Sequence, residues 1–285
     1  MIPTFVIFLR EGIEASMIVA ILLAYLKRID QRRHFRDVFT GVASAFLLIF
    51  AGGIAAYLLI KRYSGSNIQT YFETATYLLA AAVLTYMTFW MQSHARGLSS
   101  DLQRKSDEAL SRGKRWGLII LSFQAVGREG LETMVFTLAI IFANSKQAPV
   151  ELHGGLLWLG ALLGIAVALA IAYFIYKLGA KINLRRFFRI LGIALMVFAA
   201  GLLADAIQNM QQLNWLPFAN GQLWNSSAFV SEESNIGNAL HSLFGYAERP
   251  TPLQAVVWSL YIIGGIALFV YLGRQKKKPA APAAK

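Results

Sequence analysis

Cysteine is absent from the 285 residues, and charged residues make up only 15% of them. Without Cys there is no disulfide framework, no thiolate metal site and no Cys nucleophile. A soluble domain carries about 25% charged residues to solvate its surface, so this composition argues against an ordinary soluble protein. The four His residues, at 34, 94, 153 and 241, show neither H-x-x-E-H nor H-E-x-x-H spacing, which leaves no His-based metal motif. A P-loop, a G-x-G-x-x-G turn and a serine nucleophile elbow are also missing. The chain therefore encodes no energy-coupling or hydrolytic domain of those kinds, and it reads as a non-enzyme.

What is present is apolar. Hydrophobic residues account for 56% of the chain. They gather in seven runs, at 3–26, 38–60, 72–91, 116–142, 156–178, 187–207 and 253–273. A bilayer core about 30 Å thick needs roughly 20 apolar residues to cross as a helix. The runs are continuous rather than alternating, which selects helices over barrel strands. The expected class is all-α: a polytopic membrane protein with seven transmembrane helices. The first run lacks a basic leader, and Arg10, Glu11 and Glu14 interrupt it, so it reads as a retained helix rather than a signal peptide.

Basic residues alternate from loop to loop. Five Lys or Arg fall in 27–37, six in 92–115, five between Lys177 and Arg189, and five in the C-terminal tail. The intervening loops hold only Lys61, Arg62, Lys146 and Arg249. The positive-inside rule then puts the N-terminus outside and the C-terminus in the cytoplasm. The net charge of +12 is thus a topology signal and not a nucleic-acid surface. Trp90, Trp116, Trp158 and Trp258, at or near span ends, fit an interfacial belt.

The expected organisation follows. Residues 1–91 form a first three-helix repeat, 92–115 a cytoplasmic linker, partly helical, and 116–207 a second three-helix repeat. Residues 208–252 form an extracytoplasmic loop with short interfacial helices, 253–273 a seventh helix, and 274–285 a disordered basic tail.

One pentapeptide pattern occurs twice. Arg10-Glu11-Gly12-Ile13-Glu14 lies in the first span and Arg128-Glu129-Gly130-Leu131-Glu132 in the fourth. Each charge at a helix centre costs roughly 2.5–3.5 kcal/mol to insert, so each motif costs about 8–10 kcal/mol. Such helices must turn this face into a bundle or a wet cavity. Arg and the second Glu are i,i+4, and the two Glu are i,i+3, so all three share a face. Each motif is net −1, and together they offer four carboxylates. Gly12 and Gly130 leave room for a neighbouring backbone, or for a local helix break. The first span descends while the fourth ascends, so the two repeats are inverted. That arrangement places substrate near the midplane between corresponding helices. Four carboxylates form a hard-oxygen site for a small, highly charged cation. The plainer alternative is a pair of buried Arg–Glu locks, but a lock needs one Glu per Arg and carries no net charge. Glu73 and Asp205, at the outer ends of the third and sixth spans, are candidates for an acidic outer vestibule. Glu232, Glu233 and Glu248 are further acids of the outer loop, collecting cations or simply solvated.

These residues resemble the oxidase-dependent iron permease family, which includes fungal high-affinity Fe3+ permeases and bacterial EfeU-type permeases. The resemblance runs through Leu9 to Glu14, Tyr25-Leu26-Lys27-Arg28, Phe89-Trp90-Met91, Arg128 to Glu132, Ala199-Ala200-Gly201-Leu202 and Leu243-Phe244-Gly245-Tyr246. It implies import of Fe3+ across the cytoplasmic (inner) membrane, with Glu11, Glu14, Glu129 and Glu132 as metal ligands. Arg10, Gly12, Arg128 and Gly130 would support them. It further implies an extracytoplasmic iron oxidase or iron-binding protein as partner, with iron as transported substrate rather than cofactor. Two alternatives stay open. One is a divalent metal (Fe2+ or Pb2+) permease or exporter on the same scaffold. The other is a non-transporting membrane anchor for an extracytoplasmic iron complex.

Overall fold

The computed structural model describes residues 2–62, 66–94, 98–111, 116–145, 150–178, 184–232 and 234–275. Nearly all of the 274–285 tail and Glu233 lie outside this set. Among the described residues there are helices and no strands. Their order is α1 (Ile2–Arg28), a 3-10 turn (Arg32–His34), α2 (Phe35–Arg62), α3 (Asn67–His94), α4 (Leu98–Ser111), α5 (Trp116–Ser145), α6 (Val150–Leu178), α7 (Leu184–Gln212), α8 (Asn235–Phe244) and α9 (Pro252–Gln275). The polar stretch between the third and fourth apolar runs contains α4, and the loop after the sixth contains α8.

Five helical stretches are long and apolar enough to cross a membrane: Arg32–Leu58, Asn67–Met91, Leu157–Phe174, Ile190–Gln212 and Pro252–Phe269. Helices α1 and α5 match them in length, at 27 and 30 residues, about 40–45 Å each. Their own charges, Arg10, Glu11 and Glu14 in α1 and Arg128, Glu129 and Glu132 in α5, set them apart by composition. Phe46, Leu47, Phe50, Leu162, Leu260 and Ile263 stand exposed. Water would not tolerate so wide an apolar surface, and lipid does.

Helices adjacent in sequence are not the closest packed. The largest contacts join α1 to α6, α2 to α5 and α3 to α7, with α9 on α7 and a further contact between α1 and α5. Glycine makes two of these approaches possible. A Cβ on Gly164 of α6 would lie 2.7 Å from the Phe5 carbonyl oxygen and 2.9 Å from the Leu9 nitrogen of α1. A Cβ on Gly41 of α2 would collide with the Ile119 carbonyl and the Ser122 hydroxyl of α5. Gly164→Ala is expected to cost about 1–3 kcal/mol, because backbone has to move to admit the methyl group. Gly155, on the same helix, has nothing within 4 Å of its would-be Cβ. Gly155→Ala should leave the melting temperature in detergent unchanged or slightly raised. Equal melting of the two variants would show that the α1–α6 contact is looser than described.

The buried face of α1 recurs every three or four residues through Ile7, Arg10, Glu14, Ile18, Leu22 and Tyr25, with Glu11 beside Arg10 also buried. The charged residues therefore point inward with the core residues, as the insertion cost demands. Ile7 belongs to one apolar cluster with Tyr77, Leu84, Phe136, Ile140 and Leu195. Ile18, Leu22 and Leu26 belong to a second with Val38, Leu102 and Leu118. On α5 the motif likewise falls between Leu118 and Phe136, so an apolar layer lies on each side of the charged one.

Two short helices lie at the ends of this stack. α4 packs against α1 and α5, and the Tyr25 hydroxyl bonds to the Asp107 carboxylate. α8 packs mainly on α7 and touches α1 and α5. Ser234 caps its N-terminus by accepting from the Gly237 N–H at 2.9 Å. Gly245 ends it at φ 68°, against Gly201 of α7, where a side chain on either residue would strike backbone. The preceding loop is braced by Glu232 and Glu248. Each carboxylate accepts the other residue's backbone N–H, at 3.1 and 2.7 Å.

Candidate functional site

The two motifs meet where α1 crosses α5. One carboxylate oxygen from each of Glu11, Glu14 and Glu129 lies within 4.8 Å of the others, and all three residues are buried. Among the described residues this is the one group of acids and His close enough to hold a metal ion. Glu11 and Glu14 share a face of α1, and Glu129 reaches them from α5.

Arg10 accompanies the cluster. Its Nη1 bonds to Glu11, and its Nε lies 3.3 Å from Glu14 Oε1, with all three side chains almost wholly buried. Three carboxylates thus face one guanidinium, formally net −2. Glu11 Oε2 and Glu129 Oε2 are buried without a hydrogen-bond partner, and Glu14 Oε1 has its ion pair with Arg10 but no hydrogen bond. Unpaired carboxylate oxygens are costly in a protein interior. A cation bridging them would supply the missing interaction, and the oxygen donors suit a hard cation.

Glu132 takes a different position. Its Oε1 accepts from Arg128 Nε at 3.0 Å, and it stands outside the group of three. Its Oε2 has no hydrogen-bond partner. The motif that looks symmetric in sequence is therefore asymmetric in space. Arg10 makes an ion pair with both of its glutamates, whereas Arg128 makes one with Glu132. Arg128 also turns toward α3, with Nη2 2.8 Å from Met87 Sδ and its guanidinium 4.8 Å from the Trp90 ring centroid.

The two glycines admit neighbours, though of different kinds than a backbone. A Cβ on Gly12 would lie 2.8 Å from Ala168 Cβ on α6, and one on Gly130 would strike Ile49 of α2. Neither breaks its helix: α1 and α5 run unbroken through the motif.

Glu73 on α3 and Asp205 on α7 are both buried. Glu73 accepts from Gln69 Nε2 at 2.7 Å and lies 3.5 Å from Asn209 Nδ2. Asp205 Oδ1 is 3.7 Å from His241 Nε2 of α8, and His241 Nδ1 contacts the Tyr246 carbonyl at 2.8 Å. Sequence spacing gave no reason to single out His241, Met87 or Gly164. Trp90 stood out as a belt residue and as part of the Phe89-Trp90-Met91 run, not as a partner of Arg128. Met87 and Trp90 are i,i+3 on one helix face, a spacing that is visible in sequence once α3 is known to reach Arg128.

The Iron permease FTR1 family matches the chain over residues 1–274. The chain is 33% identical over 275 residues to the ferrous iron permease EfeU of Escherichia coli O6:K15:H31 (strain 536 / UPEC), covering 95% of each. It is 32% identical over 291 residues to the ferrous iron permease EfeU of Yersinia pestis, covering 100% of this chain and 99% of that one. No solved structure matches it.

Proposed function

Because the chain belongs to the Iron permease FTR1 family, we propose that it imports Fe3+ across the cytoplasmic membrane through the carboxylates gathered between α1 and α5. The observation that carries this reading is the buried group Glu11, Glu14 and Glu129, closed on both sides by apolar layers. Glu132, one turn along α5, is the fourth ligand, joining when α1 and α5 shift.

Seven spans are proposed, namely α1, α2, α3, α5, α6, α7 and α9. The packing pattern supports an inverted repeat that pairs α1 with α5, α2 with α6 and α3 with α7. Exchanging the halves turns the α1–α6 contact into the α2–α5 contact and returns the α1–α5 and α3–α7 contacts to themselves. Under this topology the basic loops put α4 in the cytoplasm and α8 outside. Glu73 and Asp205 then lie on the outer side, on the approach to the motifs. An extracytoplasmic iron oxidase or iron-binding protein is the proposed source of iron. Binding a trivalent ion would change the local formal charge from −2 to +1, which biases one repeat to rock against the other.

A second reading has its own support. The Escherichia coli and Yersinia pestis relatives are called ferrous iron permeases, and three carboxylates also bind Fe2+. The test is metal flux into liposomes holding this chain alone, with Fe3+ kept soluble by citrate or Fe2+ kept reduced by ascorbate. Faster entry of Fe3+ is expected. Entry of Fe2+ alone would establish the ferrous reading. Flux of neither ion would leave the chain a membrane anchor.

A further inference from the structure

The two motif arginines differ in how tightly they are enclosed. The Arg10 side chain is 4% exposed and that of Arg128 40%. On its open side Arg128 borders a groove of about 470 Å³, lined by Ala45, Ile49, Gly127, Leu131 and Glu132 among others. Packing alone does not fix this guanidinium. Its partners do: Glu132 on its own helix, and Met87 and Trp90 on α3. Met87 is itself buried, so its sulfur faces the guanidinium from within the core. Indole offers the strongest ring face for a cation.

Motif one shows the contact that motif two avoids. Arg10 bonds to the glutamate that follows it, Glu11. The equivalent partner of Arg128 is Glu129, yet Glu129 Oε2 has no hydrogen bond and the residue joins Glu11 and Glu14. We propose that Met87 and Trp90 are positioning residues that draw Arg128 away from Glu129 and so keep a third carboxylate un-neutralised for the incoming cation. With Arg128 held on α3, the group of Glu11, Glu14, Glu129 and Arg10 is formally −2. With Arg128 folded back onto Glu129 it becomes −1, and its attraction for a cation weakens. This inference rests on the reading of Glu129 as an iron ligand.

The test is iron uptake kinetics in liposomes holding the full chain, with Fe3+-citrate as the probe. Met87→Leu nearly conserves volume and should fold. Met87→Leu and Trp90→Leu should each raise KM several-fold, and the double variant about tenfold, with kcat little changed. Trp90→Phe keeps a ring face and should stay within about twofold of the parent KM. In an Arg128→Gln background the Leu substitutions should have no further effect on KM, because the group they position is gone. An unchanged KM in both Leu variants, beside an inactive Glu129→Gln, would overturn the positioning role while leaving the iron site intact. A KM rise that Phe does not rescue, or one that persists without Arg128, would also overturn it. If Glu129→Gln transports normally, the ligand reading fails and takes this proposal with it. Should Trp90→Leu not reach the membrane, Met87→Leu decides alone.

Discussion

Glu129→Gln should abolish iron uptake while the protein stays at its normal level in the membrane. The substitution keeps the shape of the side chain and removes one charge from a group whose oxygens lie within 4.8 Å of one another. Two unit charges about 4 Å apart interact by about 4 kcal/mol at an effective dielectric of 20, which is roughly a thousandfold in affinity. A trivalent ion feels more. Stability moves the other way, because Glu129 is the carboxylate of the three without an arginine partner. Replacing an uncompensated buried charge by an amide relieves repulsion instead of breaking a pair. Glu11→Gln should also stop uptake, at some cost in stability, since Glu11 is bonded to Arg10. Glu132→Gln should be milder, because Glu132 stands outside the close group and is already engaged by Arg128. Uptake of labelled iron into vesicles, with membrane levels measured by immunoblot, checks the series. Normal uptake by Glu129→Gln and Glu11→Gln would remove the site assignment altogether.

The helices were legible because lipid imposes length and continuity. Apolar runs at 3–26, 38–60 and 116–142 appear as α1 (Ile2–Arg28), α2 (Phe35–Arg62) and α5 (Trp116–Ser145). Each helix extends a few residues beyond its run, since backbone hydrogen bonds continue past the last apolar side chain. The partners of each helix were not legible. Gly41 and Gly164 decide the α2–α5 and α1–α6 contacts, yet nothing in their local sequence separates them from the other glycines among the 23 in the chain. The inward direction of Arg10, Glu11 and Glu14 followed from the cost of exposing them to lipid. Their unequal grouping did not follow. Two pentapeptides of one pattern receive different surroundings, and Met87 and Trp90 lie about forty residues from the arginine they hold. A motif states which groups meet. Which arginine neutralises which glutamate is decided by the helix packed alongside.

That difference carries a second large effect, on stability. Arg10→Gln should lower the melting temperature and the accumulated amount of the chain strongly, whereas Arg128→Gln should be better tolerated. Arg10 is enclosed with Glu11 and Glu14 and is the cation closest to the group. Its loss leaves three buried carboxylates together with no ion-pair partner of their own, and breaking such a buried pair costs about 3–5 kcal/mol. Arg128 is part-exposed and keeps one ion pair, with Glu132, so its loss strands one carboxylate rather than three and should cost less than the loss of Arg10. Lys at position 10 should rescue only in part, because an ammonium cannot address two carboxylates with a planar fork. Iron supplies a separate check. A cation bound by the three carboxylates replaces the missing charge, so adding Fe3+-citrate should raise the melting temperature of Arg10→Gln more than that of the parent chain. Thermal melting in detergent, with and without iron, reads both effects. Equal losses from the two arginines would mean that the asymmetric grouping carries no energetic weight. A response to iron no larger in Arg10→Gln than in the parent would mean that Arg10 and the metal ion do not answer the same negative charge.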